Sequence, residues 1–217
     1  MPNGILVPSV GWYVGAALEF RSNTNYDTSA GGAVQSWVMN KPSGVVDGDF
    51  LFMFIVQNNP LAFSAIPSGW TLIQDSRADH GGANAITYYK IASSEPASYT
   101  WDYGSGFSER TSACLIALTG GTYDEIGQTE DGSGSTTCVA PSVTVDSAGS
   151  VIIAANGQKD TDYTSTPSGY TEVMNVTAKC NLWLGYQTGV ASGASGTATW
   201  TTTVSKKNDS VQVAIGP

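Results

Sequence analysis

Pro67-Ser68-Gly69-Trp70-Thr71 is the stretch on which the fold turns, because the chain reads Pro167-Ser168-Gly169-Tyr170-Thr171 one hundred positions later. Other segments fall into the same register. Pro42-Ser43-Gly44-Val45-Val46-Asp47 is echoed by Pro141-Ser142-Val143-Thr144-Val145-Asp146. Ser98-Tyr99-Thr100-Trp101 is echoed by Thr197-Ala198-Thr199-Trp200, and Cys114-Leu115-Ile116-Ala117-Leu118 by Val211-Gln212-Val213-Ala214-Ile215. Echoes in one order at a nearly constant offset mark an internal duplication, with units at residues 17–120 and 121–217.

Between these marks the patterning is that of strands. Phe50–Val56 and Val151–Ala155 are short, apolar and rich in branched or aromatic residues, as central strands packed on both faces would be. Tyr99, Trp101 and Tyr103 alternate onto one face, as in a half-buried strand. Strands are also expected at 17–20, 34–39, 70–74, 85–92, 110–118, 136–139, 142–145, 170–176, 182–188, 198–202 and 210–215. No window of ten residues shows helical periodicity. The prediction is an all-β protein, an antiparallel β-sandwich or jelly roll, in which the two units interleave as a single domain over residues 17–217; tandem Ig-like domains are the alternative. The Gly/Ser/Thr-rich, acidic segment 120–135 reads as a crossover or linker.

Charged residues make up 12% of the chain, about half the usual share, and the formal net charge is −9. A polyanion is repelled by phosphate backbones and anionic lipid, so neither nucleic acid nor a membrane surface is an expected partner. No stretch approaches the 18 or so apolar residues of a membrane span. The three cysteines, Cys114, Cys138 and Cys180, have no metal-binding spacing and read as buried free thiols, which suits assembly in a reducing cytoplasm.

Candidate chemistry is sparse. The single histidine, His80, has no nucleophile elbow to serve. A glycosidase would need two carboxylates, one held in an apolar pocket; Glu19, Asp75, Asp102 and Glu109 all lie beside turn or surface residues. No catalytic residue and no cofactor is expected. Asp47/Asp49, Asp124/Glu125 and Asp160/Asp162 are loop carboxylate pairs of a kind that can hold calcium, Asp160 and Asp162 foremost, although such pairs also form turns. Trp70, Tyr89 and Trp101 could face a glycan; Trp70 and Trp101 recur as Tyr170 and Trp200, which fits core residues better. Residues 1–16 have no counterpart in the second unit. Ile5, Leu6, Val7, Trp12 and Tyr13 would make this segment either a strand closing the sandwich or an arm that docks on another subunit.

Taken together, Lys41–Leu51, Ile66–Leu72, Tyr89–Ala92 and Glu95–Trp101 resemble the jelly-roll-like β-sandwich domain of phage and prophage virion proteins, found on tails, fibres and capsid surfaces. The resemblance covers residues 41–120 well, the second unit loosely and residues 1–35 not at all. It implies a particle-borne protein, assembled in the host cytoplasm, that performs no catalysis. Its expected partners are capsid or other virion proteins and further copies of itself. Because the domain is nearly the whole chain, the resemblance points to a capsid decoration (cement) protein. The alternative is a head-fibre or tail-tip subunit that binds a host glycan.

Overall fold

The computed structural model describes residues 17–28, 30–77, 84–177 and 179–217. The first unit forms β1 (Phe20–Asp27), β2 (Ser36–Asn40), β3 (Phe50–Gln57), β4 (Thr71–Asp75), β5 (Asn84–Ile91), β6 (Ser98–Asp102) and β7 (Thr111–Leu118). The second forms β8 (Thr122–Ala140), β9 (Thr144–Val145), β10 (Ser150–Gln158), β11 (Tyr163–Ser165), β12 (Thr171–Val176), β13 (Asn181–Val190), β14 (Gly193–Ala194) and β15 (Ala198–Gly216). All pairings are antiparallel. The expected all-β sandwich is what forms.

Strand order exposes the duplication. One sheet runs β1-β7-β3-β5-β4 and the other β8-β15-β10-β13-β12, with β11 added on β15. Each unit therefore supplies a whole sheet, and the interleaving expected from the sequence does not occur. Register repeats as well: Phe50 lies opposite Leu118 as Val151 lies opposite Ile215. Thr71 meets Tyr89 as Thr171 meets Tyr186, and a bulge follows in both strands, at Leu72/Gln74 and at Glu172/Met174. The turns that open these strands require Gly69 and Gly169, both at φ +83°, where a side chain would be strained.

Both central strands are buried along their whole length because both sheets are covered twice. Phe50, Phe52, Phe54 and Val56 meet Val151, Ile153, Ala155, Val211 and Val213 in a core shared by the two sheets. The opposite face of β3, with Leu51, Met53 and Ile55, packs on Trp37, Trp70, Tyr99 and Trp101 beneath the two-stranded β2–β6 layer. The outer face of the second sheet is covered by Cys138, Ala140 and Trp200 on one side and by Val143 and Val145 on the other. Four layers result, two broad sheets inside and smaller ones outside, so strands of an antiparallel fold lose the one-sided alternation that water would impose.

Two stacks across the shared core show how the sheets are related. Phe20 of β1 stacks on Tyr186 of β13 (4.6 Å, 7°), and Tyr123 of β8 stacks on Tyr89 of β5 (5.4 Å, 17°). Phe20 and Tyr123 are register equivalents, as are Tyr89 and Tyr186. Each unit thus lends the other the same pair of rings, the reciprocity of an approximate twofold axis.

Candidate functional site

The aromatic candidates are core. Trp101 is fully buried, stacked on Trp37 (5.6 Å, 10°) and flanked by Phe63, Trp70 and Tyr88. Trp70 is 7% exposed and meets Tyr99 edge-on. Tyr89 is held between Phe50 and Tyr123. The glycan-facing placement is therefore corrected for Trp70 and Trp101, whose faces are covered by other rings. A planar aromatic supplies the most apolar area a core position can use, which is why the repeat keeps it.

The acidic residues are taken up by hydrogen bonds and ion pairs that hold loops and strand ends together. Asp75 bonds Arg77, Asp102 caps the Gly104 amide (2.7 Å), and Glu109 accepts from Asn59 Nδ2 (2.8 Å) and the Arg110 amide (2.7 Å). Asp47 accepts the Ser94 amide (2.6 Å), while Asp49 caps Val46 (2.9 Å) and pairs with Arg21 (2.7 Å). Among the described residues no three His, Cys, Asp or Glu side chains converge on a metal position. Among the described residues none of the three cysteines forms a disulfide, all three are buried, and burial pushes the Cys114 and Cys180 thiols up. His80 and the arm residues Ile5, Leu6, Val7, Trp12 and Tyr13 lie outside the described residues.

What remains is an open cleft of about 550 Å³ where the two units meet. The loop leaving β10 carries Asp160, Thr161 and Asp162 into it, turning at Asp160 with φ +54°. Asp and Asn tolerate that left-handed conformation better than most residues. Thr177 and Lys179 enter from the segment after β12, Thr203 and Val204 from β15, and Ala30 and Arg110 from the first unit. The Lys179 ammonium sits 2.6 Å from Asp160 Oδ1. That ion pair occupies the carboxylate on which a calcium reading of Asp160 and Asp162 would depend. The Thr203 amide donates to the Asp162 carbonyl (3.0 Å), and the Thr161 and Thr203 hydroxyls bond each other (3.3 Å), fixing the floor. Arg110 donates Nε to the Gly31 carbonyl at 3.0 Å.

Of this cleft the sequence marks only the Asp160-Thr161-Asp162 pair of carboxylates. Arg110, Lys179 and Thr203 look scattered along the chain, and nothing short of the sheet-on-sheet packing brings them together. Comparison with family models, curated proteins and solved structures found no match to this chain.

Proposed function

We propose that this protein is a non-enzymatic structural subunit of a phage particle, a capsid decoration protein bound to the shell surface, self-associating and assembled in the host cytoplasm. The observation that carries the reading is where the repeated residues go. The echoed segments supply the paired sheets, the bulges, the Pro-Ser-Gly turns and the Trp101 and Trp200 packing. The duplicated pattern is thus accounted for by a scaffold. Likeness of residues 41–120 to virion β-sandwich domains, jelly-roll-like in form, supplies the particle. Buried cysteines that form no disulfide among the described residues suit assembly in a reducing compartment.

Labelling purified particles with an antibody to the chain tests this. Regularly spaced label over the head is expected. Label confined to the tail would replace the decoration role by the fibre or tail-tip role, and unlabelled particles would remove the virion role altogether. Deleting residues 1–16 should abolish shell binding while the sandwich stays folded.

A further inference from the structure

We propose that the cleft between the two units is a binding site for a saccharide carrying a single carboxylate, such as a uronic or sialic acid residue. The inference goes beyond the particle role and does not depend on where in a particle the chain sits.

Its basis is the set of groups that face one another. A chain of net charge −9 has nine basic residues, and two of them, Arg110 and Lys179, line this one cleft. Arg110 uses Nε on the Gly31 carbonyl, and its two terminal amino groups have no hydrogen-bond partner among the described residues. A guanidinium with those nitrogens open is the shape a carboxylate meets through two parallel bonds. Lys179 is held by Asp160, their side chains 52% and 31% exposed, so this pair offers a fixed donor beside a fixed acceptor with no net charge.

Charge selects the ligand. A polyanion would be opposed by Asp160, Asp162 and the chain's overall charge, and a cation by Arg110 and Lys179. A neutral sugar would leave the Arg110 fork unmatched. One carboxylate on a polyhydroxylated ring satisfies the whole set: the acid on Arg110, ring hydroxyls on Asp162 and on the hydroxyls of Thr177 and Thr203. Val204, 45% exposed, offers an apolar contact for the C–H face of a ring. The volume, about 550 Å³, falls inside the roughly 300–1,000 Å³ of small-molecule sites.

The test is titration of glucuronic acid into the full chain, followed by amide NMR, with glucose, acetate and a short glutamate-containing peptide as comparators. Saturable shifts at residues 160–162, 177 and 203 are expected with glucuronic acid, and affinities at least about tenfold weaker for glucose and acetate. Arg110→Gln should weaken glucuronic acid by at least about tenfold, Arg110→Lys should retain part of the binding, and Thr203→Val should weaken it with charge unchanged. Thermal melts establish that each variant is folded; should Arg110→Gln not fold, Lys179→Gln and Thr203→Val carry the test. Absence of glucuronic acid binding, equal affinity in the variants, acetate binding as tight as glucuronic acid, or tighter binding of the peptide would each overturn the assignment.

Discussion

Gly157 of β10 faces Val56 of β3 so closely that a Cβ on the glycine would stand 2.8 Å from Val56 Cγ2. The two residues hold the same position in their units, each next to the glutamine that pairs with an asparagine, Gln57 with Asn84 and Gln158 with Asn181. Near an approximate twofold axis a residue meets its own counterpart, and here there is room for only one side chain. Gly157→Ala should therefore cost about 1–3 kcal/mol through overpacking. Val56→Ala, which leaves a cavity, should cost roughly 2 kcal/mol. Combined, they should cost less than the sum, with a coupling of about 1 kcal/mol or more. Urea denaturation of the four proteins measures it, and strictly additive losses would mean that the two strands do not meet at this point.

Trp101 and Trp200 occupy matching places, in register with Trp37 and Cys138 respectively, and both are fully buried. Replacing either by Ala should cost about 3–5 kcal/mol. That is a large part of the roughly 5–15 kcal/mol that holds a typical domain together. Trp101→Ala should shift the urea midpoint strongly or prevent soluble expression. An unchanged midpoint would show that the outer layer contributes little to the fold.

These two positions were visible in the sequence because bulky residues recur there at a fixed offset. The central strands were visible for a similar reason, as uninterrupted apolar runs. The edge strands β4 and β12 were visible too, at 70–74 and 170–176, but the other two long edge strands were not. β1 (Phe20–Asp27) starts where the strand expected at 17–20 ends, and β8 (Thr122–Ala140) runs through most of the segment 120–135 that reads as a crossover or linker. Each takes backbone bonds from one neighbour only, β7 or β15, and β1 and much of β8 are only partly buried. Neither therefore needs the alternation that advertises a strand. Gly127 in β8 is there for contact rather than flexibility, since a Cβ would meet the Pro141 carbonyl at 2.9 Å. The cleft was illegible for another reason: its walls come from residues 30, 110, 160–162, 177, 179, 203 and 204, which only the packing of the two units assembles.

Glu95 gives the fold a dependence on acid. Its carboxylate is buried (1% exposed), which by itself raises its pKa. The Lys90 ammonium at 2.9 Å, the Ser93 amide at 2.9 Å and the Tyr99 hydroxyl at 2.9 Å outweigh that and hold it below the ordinary glutamate value. A carboxyl depressed in the folded state contributes stability above its unfolded pKa, about 4.3, and that contribution disappears as pH falls through the folded value. Glu95→Gln should therefore lower the urea midpoint at pH 7 and converge on the unmodified protein in acid. A gap that persists undiminished at pH 2.5 would assign the loss to packing instead of charge.

Asp124 should behave in the opposite sense, and the duplication explains why. In the first unit the register shift between Phe20 and Ser22 leaves Arg21 at a bulge, where it pairs with Asp49. The shift between Ala214 and Ile215 leaves Asp124 at the matching bulge of β8, where among the described residues no basic side chain forms an ion pair with it. Its Oδ2 is buried without a hydrogen-bond partner. Burial first, and then the negative charge of Asp146, raises its pKa. An acid whose pKa is raised by folding destabilises the folded state wherever it is ionised, and this penalty vanishes once pH falls below the unfolded value of about 3.9. Asp124→Asn should accordingly raise the urea midpoint at pH 7 and leave it unchanged near pH 3. Asp146→Asn should give part of the same gain, since it removes only the second cause. A lower midpoint for Asp124→Asn at pH 7 would show that the ionised carboxylate is stabilised where it stands, and that the second unit has replaced the Arg21–Asp49 pair with a favourable contact of its own.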